Sequence, residues 1–237
     1  MPNLLTALNF TRETCAAIVG AGGKTTLLFS LARSFSPPVW LATTAHLSQE
    51  QCSWSDRHVI VTDPAQNLDA GEFSSRLTLF SGPLTQSERV ASVPESFLLR
   101  LAESAAQNHI PLLIEADGAR TRLLKAPKEH EPPIPNFVNA VIVVANLKAL
   151  GKPLSEESVY NPTGFSQITH LPENAPIASE HIADAFLHPF GGLKNIPAHI
   201  TPQAVLTHAV IPSQQNAGRS IARQLLPVYH AVHLSHL

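Results

Sequence analysis

Between Ile18 and Ala32 the chain reads IVGAGGKTTLLFSLA. A polyphosphate site needs backbone N–H groups converging at a helix N-terminus, glycines that let the backbone come close, a cation for the β/γ-phosphates and a hydroxyl for Mg²⁺. Gly20, Gly22 and Gly23 meet the first two needs, Lys24 the third and Thr25 the fourth, with Thr26 following. The helix dipole disfavours a cation at a helix start, so Lys24 is not placed there for helix stability. The usual phosphate loop puts four residues between its first glycine and the Gly-Lys pair, whereas Gly20 and Gly23 enclose two. The alternative is a tight strand-to-helix turn with a solvent-facing lysine.

The acidic counterpart is the run LLIEADGA, in which Glu115 and Asp117 would share one face of an extended strand, with Ala116 opposite. Two carboxylates at the end of an apolar run are costly unless a cation or hydrogen bonds compensate them. Together with Thr25 they form the expected Mg²⁺ site, and with Lys24 the expected catalytic group. The alternative is a strand end turning into solvent at the Asp-Gly dipeptide. Next comes ARTRLLKAPKEHEPPIP, whose Arg120, Arg122, Lys125 and Lys128 are tethered beside the acidic pair. These cations could reach a phosphate or an anionic substrate, and His130, between Glu129 and Glu131, could carry a proton or ligate a metal. A solvated loop of mixed charge is the plainer reading of that segment. The remaining histidines lack HExxH-type spacing, and no G-x-S-x-G nucleophile motif occurs.

The elements that must position these residues alternate in type. CAAIVG is a short apolar run ending on glycine, and Leu27, Leu28, Leu31 and Phe35 recur at helical spacing after it. PVWLATTAHL is a second buried strand, ending near Thr44, and HVIVTD and LTLFSG are two more. PESFLLRLAESAAQNH is the clearest helix, opened by Pro94. IPLLIEADGA and NAVIVVAN are apolar throughout, as central parallel strands covered on both faces must be. SEHIADAFLHP reads as a helix capped by Ser179 and stopped by Pro189, followed by the strand QAVLTH, the helix QQNAGRSIARQLL and the strand VYHAVHL. Strands alternating with helices imply an α/β fold with a mostly parallel sheet, of the P-loop NTPase-like kind. The expectation is a single NTP-binding domain over 1–237, with a loop-rich, proline-punctuated portion from about residue 146.

At 237 residues the chain can bury one substantial core. A net charge of −2 argues against a nucleic-acid binder that works by neutralising phosphates. Cys15 and Cys52 are far apart and have no metal-ligand spacing, which points to free thiols in a reducing compartment. No apolar run approaches the roughly 20 residues of a membrane span, and the first residues lack a basic leader pattern, so the expected location is the cytoplasm.

The shortened loop resembles the G-x-x-G-K-T-T turn of the Mur-type amide ligases, whose additional substrate domains find no room in this chain. VGAGGKTTLLFSLA, LATTAHL and EADGARTRLLKAPKEHEPPIP together resemble the selenium-dependent hydroxylase accessory proteins, also described as selenium cofactor biosynthesis proteins, of the YqeC-like family. NLKALGKPLSEESVYNP and SEHIADAFLHPFGGLKNIPA continue the likeness in the same order, so it covers roughly residues 15 to 210. The resemblance implies phosphate contacts from Gly22, Gly23, Lys24, Thr25 and Thr26; with Gly20 and Thr44 these are the residues expected to bind ATP or GTP with Mg²⁺. It implies a metal or catalytic role for Glu115 and Asp117, and substrate-side roles for Lys125 and His130, to which the cationic segment adds Arg120 as an expected substrate contact. Its implied partners are a molybdopterin-type cofactor or a molybdenum hydroxylase, with no nucleic acid and no membrane. The implied role is that of an accessory protein in maturing the selenium-containing cofactor of molybdenum hydroxylases, by NTP hydrolysis or phosphoryl transfer. A nucleotide-gated carrier without catalysis and a small-molecule kinase are the alternatives. Relatives tend to carry His-Arg where this chain has Tyr160 and Asn161, and a base-gripping tetrad where it has Thr207 and His208, so the base is left open.

Overall fold

The structure, a computed structural model, describes residues 4–69, 71, 73, 77–86 and 88–237. In chain order the elements are α1 (Leu4–Ala7), β1 (Cys15–Gly20), α2 (Lys24–Ser34), β2 (Val39–Thr43), β3 (Leu47–Ser48), α3 (Gln49–Cys52), β4 (Arg57–Ile60), β5 (Leu77–Ser81), β6 (Arg89–Val90), α4 (Glu95–Gln107) and β7 (Leu112–Glu115). There follow β8 (Leu124–Lys125), β9 (Ala140–Asn146), β10 (Val159–Tyr160), α5 (Pro162–Thr169), α6 (Ser179–Leu187), β11 (Gln203–Thr207), α7 (Pro212–Leu225) and β12 (Ala231–Leu234). One mostly parallel sheet of eight strands takes the order β12-β11-β9-β1-β7-β2-β5-β4. Its inner strands β2, β5, β7 and β11 are buried along their whole length, whereas the end strands β4 and β12 are only partly so. That contrast is why the inner runs are mostly apolar and do not alternate.

Two compact units divide the chain. The first comprises Met1–Ala17, Thr25–Ala116 and Pro135–Asn139. Here β2 pairs in parallel with β7, Thr43 opposite Glu115, and with β5, which in turn pairs with β4. Its core is aromatic: Trp40 meets Phe73 and Phe80 edge to face at 6.4 and 5.6 Å between centroids, and Phe80 leans on Phe97 at 5.9 Å. Phe97 belongs to α4, which buries Phe97, Leu98, Leu101 and Ala105 along one stripe and leaves Leu99 47% exposed. The short α3 is fixed by Ser48, whose hydroxyl accepts from Gln51 N while the Gln51 side chain accepts from Ser48 N.

The second unit comprises Ile18–Lys24, Asp117–Ile134 and Ala140–Leu237. Within it β11 pairs in parallel with β9 and with β12. A two-residue parallel ladder sets Leu124 opposite Val159 and Lys125 opposite Tyr160. Phe186 of α6 packs on Tyr229 at 5.7 Å between centroids, and the buried Tyr229 hydroxyl donates to the Phe186 carbonyl at 2.8 Å. The helix expected to be capped by Ser179 starts one residue earlier than that: Ala178 is the cap, and Ser179 is the first helical residue. Ala178 N–H donates to His181 Nδ1 at 3.0 Å, so the histidine ring reaches back to the cap residue's own N–H, as Glu or Gln does in a capping box.

Candidate functional site

In the second unit the glycine turn is held by backbone contact. Gly20, Gly22 and Gly23 have φ of +96°, +76° and +121°, conformations that L side chains rarely adopt. A Cβ on Gly20 would stand 2.3 Å from the Val144 carbonyl, and one on Gly22 would stand 2.3 Å from Asn146 Cβ. The close approach follows from pairing: Ala21 N–H donates to Val144 O at 2.9 Å. The Gly22 carbonyl accepts from Thr207 Oγ1 at 2.6 Å and from Asn146 Nδ2 at 3.2 Å. Lys24 follows as the first residue of α2 and is 5% exposed. Its ammonium folds back over the turn, donating to the Gly20 carbonyl at 2.7 Å.

Asp117 completes this arrangement. The strand β7 ends at Glu115, so the alternation expected to carry both carboxylates on one face stops before Asp117 is reached. Asp117 is 3% exposed; its Oδ2 accepts from Gly20 N at 3.2 Å and meets Lys125 Nζ at 3.0 Å. Lys24 Nζ stands 3.3 Å from Oδ1, within ion-pair distance, yet no donor is aligned on that oxygen as a hydrogen bond. Oδ1 therefore keeps acceptor capacity inside the protein. A cavity of about 30 Å³, bordered by Gly20, Asp117, Lys125 and Phe186, is large enough for a water molecule. Lys125 reaches Glu131 Oε2 at 3.2 Å, and Tyr160 Oη donates to Glu131 Oε1 at 3.3 Å. Burial first, then the Glu131 charge and hydrogen bond, push the Tyr160 phenol up from its ordinary pKa.

The first unit holds the other expected residues. Thr25 Oγ1 donates to Glu115 Oε2 at 2.8 Å, and Glu115 is 6% exposed. Thr44, just past β2, donates from its backbone N to the Glu115 carbonyl at 3.0 Å. Thr26 is exposed on α2. In the second unit Arg120 and His130 are exposed, and Arg120 has a φ of +48°. Lys125 is the exception to the solvated-loop reading of its segment, since its side chain is 1% exposed. Among the described residues no cluster of three His, Cys, Asp or Glu side chains could hold a metal, and no helix is long and apolar enough to cross a membrane.

A model of the YqeC protein family matches residues 16–163. The chain belongs to the YqeC family. A relative from Escherichia coli (strain K12), named uncharacterized protein YqeC, is 35% identical over 192 residues, covering 78% of this chain and 72% of that protein. No solved structure matches the chain significantly. The YqeC match contains the glycine turn, Thr44, the acidic pair and the loop through His130, and ends inside α5. Sequence reasoning missed the residues that hold those parts: Asn146 and Thr207 at the Gly22 carbonyl, and Glu131 and Tyr160 around Lys125. Asn146 and Thr207 each close an apolar strand with a polar side chain, which is the signal that could have found them. Nothing local marks Glu131 or Tyr160.

Proposed function

We propose that this YqeC-family protein binds the phosphates of ATP or GTP on the Gly20–Thr26 turn in a Mg²⁺-dependent manner. The observation that carries the reading is the buried Lys24 ammonium at the start of an eleven-residue helix, folded onto the carbonyl of its own positive-φ glycine turn. A cation at that helix end gains nothing from the dipole, whereas an anion seated there meets N–H groups, dipole and ammonium together. Hard oxygen donors suited to a magnesium ion occur in each unit: Thr25 and Glu115 in the first, and in the second Asp117, whose Oδ1 is a buried oxygen without an aligned donor. In the second unit Asp117 would hold the ion, and Gly22, Gly23 and Lys24 the phosphates. Bound Mg²⁺ supplies neutralisation of the charge on the β/γ-phosphates. The side chains then have separate tasks: Lys24 exchanges its carbonyl partner for phosphate, and Glu115 orients the Thr25 hydroxyl.

The cellular role extends the family likeness: maturation of the selenium-containing cofactor of molybdenum hydroxylases, with nucleotide hydrolysis or phosphoryl transfer as the driving step. Isothermal titration with ATP and GTP, with and without Mg²⁺, tests the binding. Lys24→Ala is expected to weaken it at least about tenfold, since a hydrogen bond to a charged group contributes roughly 1.5–3 kcal/mol. Equal affinity of parent and variant for both nucleotides would end the phosphate-loop reading. Product analysis then separates hydrolysis (nucleoside diphosphate and free phosphate), a kinase (a phosphorylated acceptor) and a carrier (no turnover). For the cellular role, a deletion strain should yield hydroxylase that is folded but lacks selenium; normal selenium content refutes that part alone.

A further inference from the structure

Lys125 carries an ammonium that the phosphate reading leaves without a task. Its side chain is 1% exposed. Its ammonium donates to the Gly118 carbonyl at 2.6 Å and stands within ion-pair distance of Asp117 Oδ2 at 3.0 Å and Glu131 Oε2 at 3.2 Å. The Tyr160 ring lies 4.7 Å from the ammonium, centroid to nitrogen. With the side chain this buried and two carboxylates, a carbonyl and a ring around the ammonium, a ligand could engage it only by displacing one of them. The substrate-side role that the family likeness assigns to Lys125 does not suit that position.

The same contacts suggest a different role. Asp117 lies between two lysines, with Oδ1 toward Lys24 and Oδ2 shared by Lys125 and the Gly20 N–H. If Lys24 turns to a phosphate, Asp117 loses one of its cations while staying inside the protein. A buried carboxylate left without a counter-charge is strongly destabilising. Lys125 prevents that, because its ammonium is fixed by Glu131 and Gly118 whether or not Lys24 moves.

We infer that Lys125 is a positioning residue, which holds Asp117 against the Gly20 N–H and keeps it compensated while Lys24 engages phosphate. The inference rests on the nucleotide reading above, and deepens it. A substrate-contacting lysine would act independently of Asp117, whereas a positioning lysine acts through it. A double-mutant cycle separates the two.

The experiment titrates ATP and GTP, each with Mg²⁺, into the parent, Lys125→Met, Asp117→Asn and the double variant. Lys125→Met alone is expected to bind at least about tenfold more weakly, and the double variant to bind within about twofold of Asp117→Asn. Binding by Lys125→Met within about twofold of the parent, or losses that multiply in the double variant, overturns the inference while leaving nucleotide binding intact. A parent that binds neither nucleotide removes the phosphate reading, and this inference with it. A second cycle needs no nucleotide: denaturation midpoints of the same four proteins. Lys125→Met removes one of the two cations beside the buried Asp117, so the double variant should shift the midpoint by less than the sum of the single shifts; simple additivity of the shifts counts against the pairing. If Lys125→Met fails to unfold cooperatively, Lys125→Met with Glu131→Gln, which removes one of the two carboxylates that the ammonium faced, replaces it under the same criteria.

Discussion

One methyl group added at Gly22 probes the turn at the scale of a single residue. With φ at +76° and the Cβ site 2.3 Å from Asn146 Cβ and 2.6 Å from the Leu123 carbonyl, alanine is both strained and crowded. Strain of this kind costs about 1–3 kcal/mol and overpacking a similar amount. Gly22→Ala should therefore lower the urea midpoint clearly. Gly118→Ala, where nothing lies within 4 Å of the added Cβ, should leave the midpoint close to the parent value. Equal midpoints would mean that the turn yields more easily than its contacts imply. At this scale the site was half legible. Lys24 and Thr25 announce themselves by type and spacing beside three glycines. The Lys125 cage does not, because its members Asp117, Glu131 and Tyr160 are brought together by a two-residue ladder and a strand end, which leave no periodicity in sequence.

Among the elements, α4 gives the cleanest contrast between a buried and an exposed position of the same residue type. Leu101 is fully buried and Leu99 is 47% exposed, two positions apart on one helix. Leu101→Ala should cost about 2–5 kcal/mol through lost transfer energy and the cavity left behind. Leu99→Ala should stay within about 0.5 kcal/mol, since it faces water. Chemical denaturation of the two variants checks both, and similar losses would contradict the stripe. This helix was readable because its apolar residues recur over three turns, and the sheet strands because they are apolar runs ended by turns. The pairs β3–β6 and β8–β10 were not readable, since two residues cannot establish a period. The Ser179 cap was misjudged for a related reason. Serine is a good cap by type, but the helix starts at Ser179 itself, and the histidine three residues after Ala178 ties down the Ala178 N–H.

For the whole molecule, the thiols connect fold and solution behaviour. Cys15 and Cys52 are both free, and burial pushes the Cys15 thiol up from 9.0 to about 12. An acid whose pKa is higher in the folded than in the unfolded chain keeps its proton longer when folded. Its contribution is fully present below pH 9, and it is lost as the pH rises from there toward 12. Stability should therefore fall over that alkaline range, and Cys15→Ala should fall less steeply. Denaturation midpoints at a series of pH values check the slope; parallel curves would assign the alkaline loss to other groups, such as the buried Tyr229 phenol, which is also raised.

The two side chains that grip the Gly22 carbonyl have a consequence for what the turn shows to a ligand. A peptide unit is planar and trans, so its N–H points opposite to its C=O. With the Gly22 oxygen tied to Thr207 and Asn146, the Gly23 N–H is aimed away from the ends of β9 and β11 without any contact of its own needing to aim it. Thr207→Val, which keeps the shape and deletes the 2.6 Å bond, would let that plane rotate. Its signature would be faster deuterium uptake at the Gly23 amide; unchanged uptake would mean that Asn146 alone locks the plane. The polarity of one amide in the turn is thus decided by side chains contributed more than a hundred residues later in the chain.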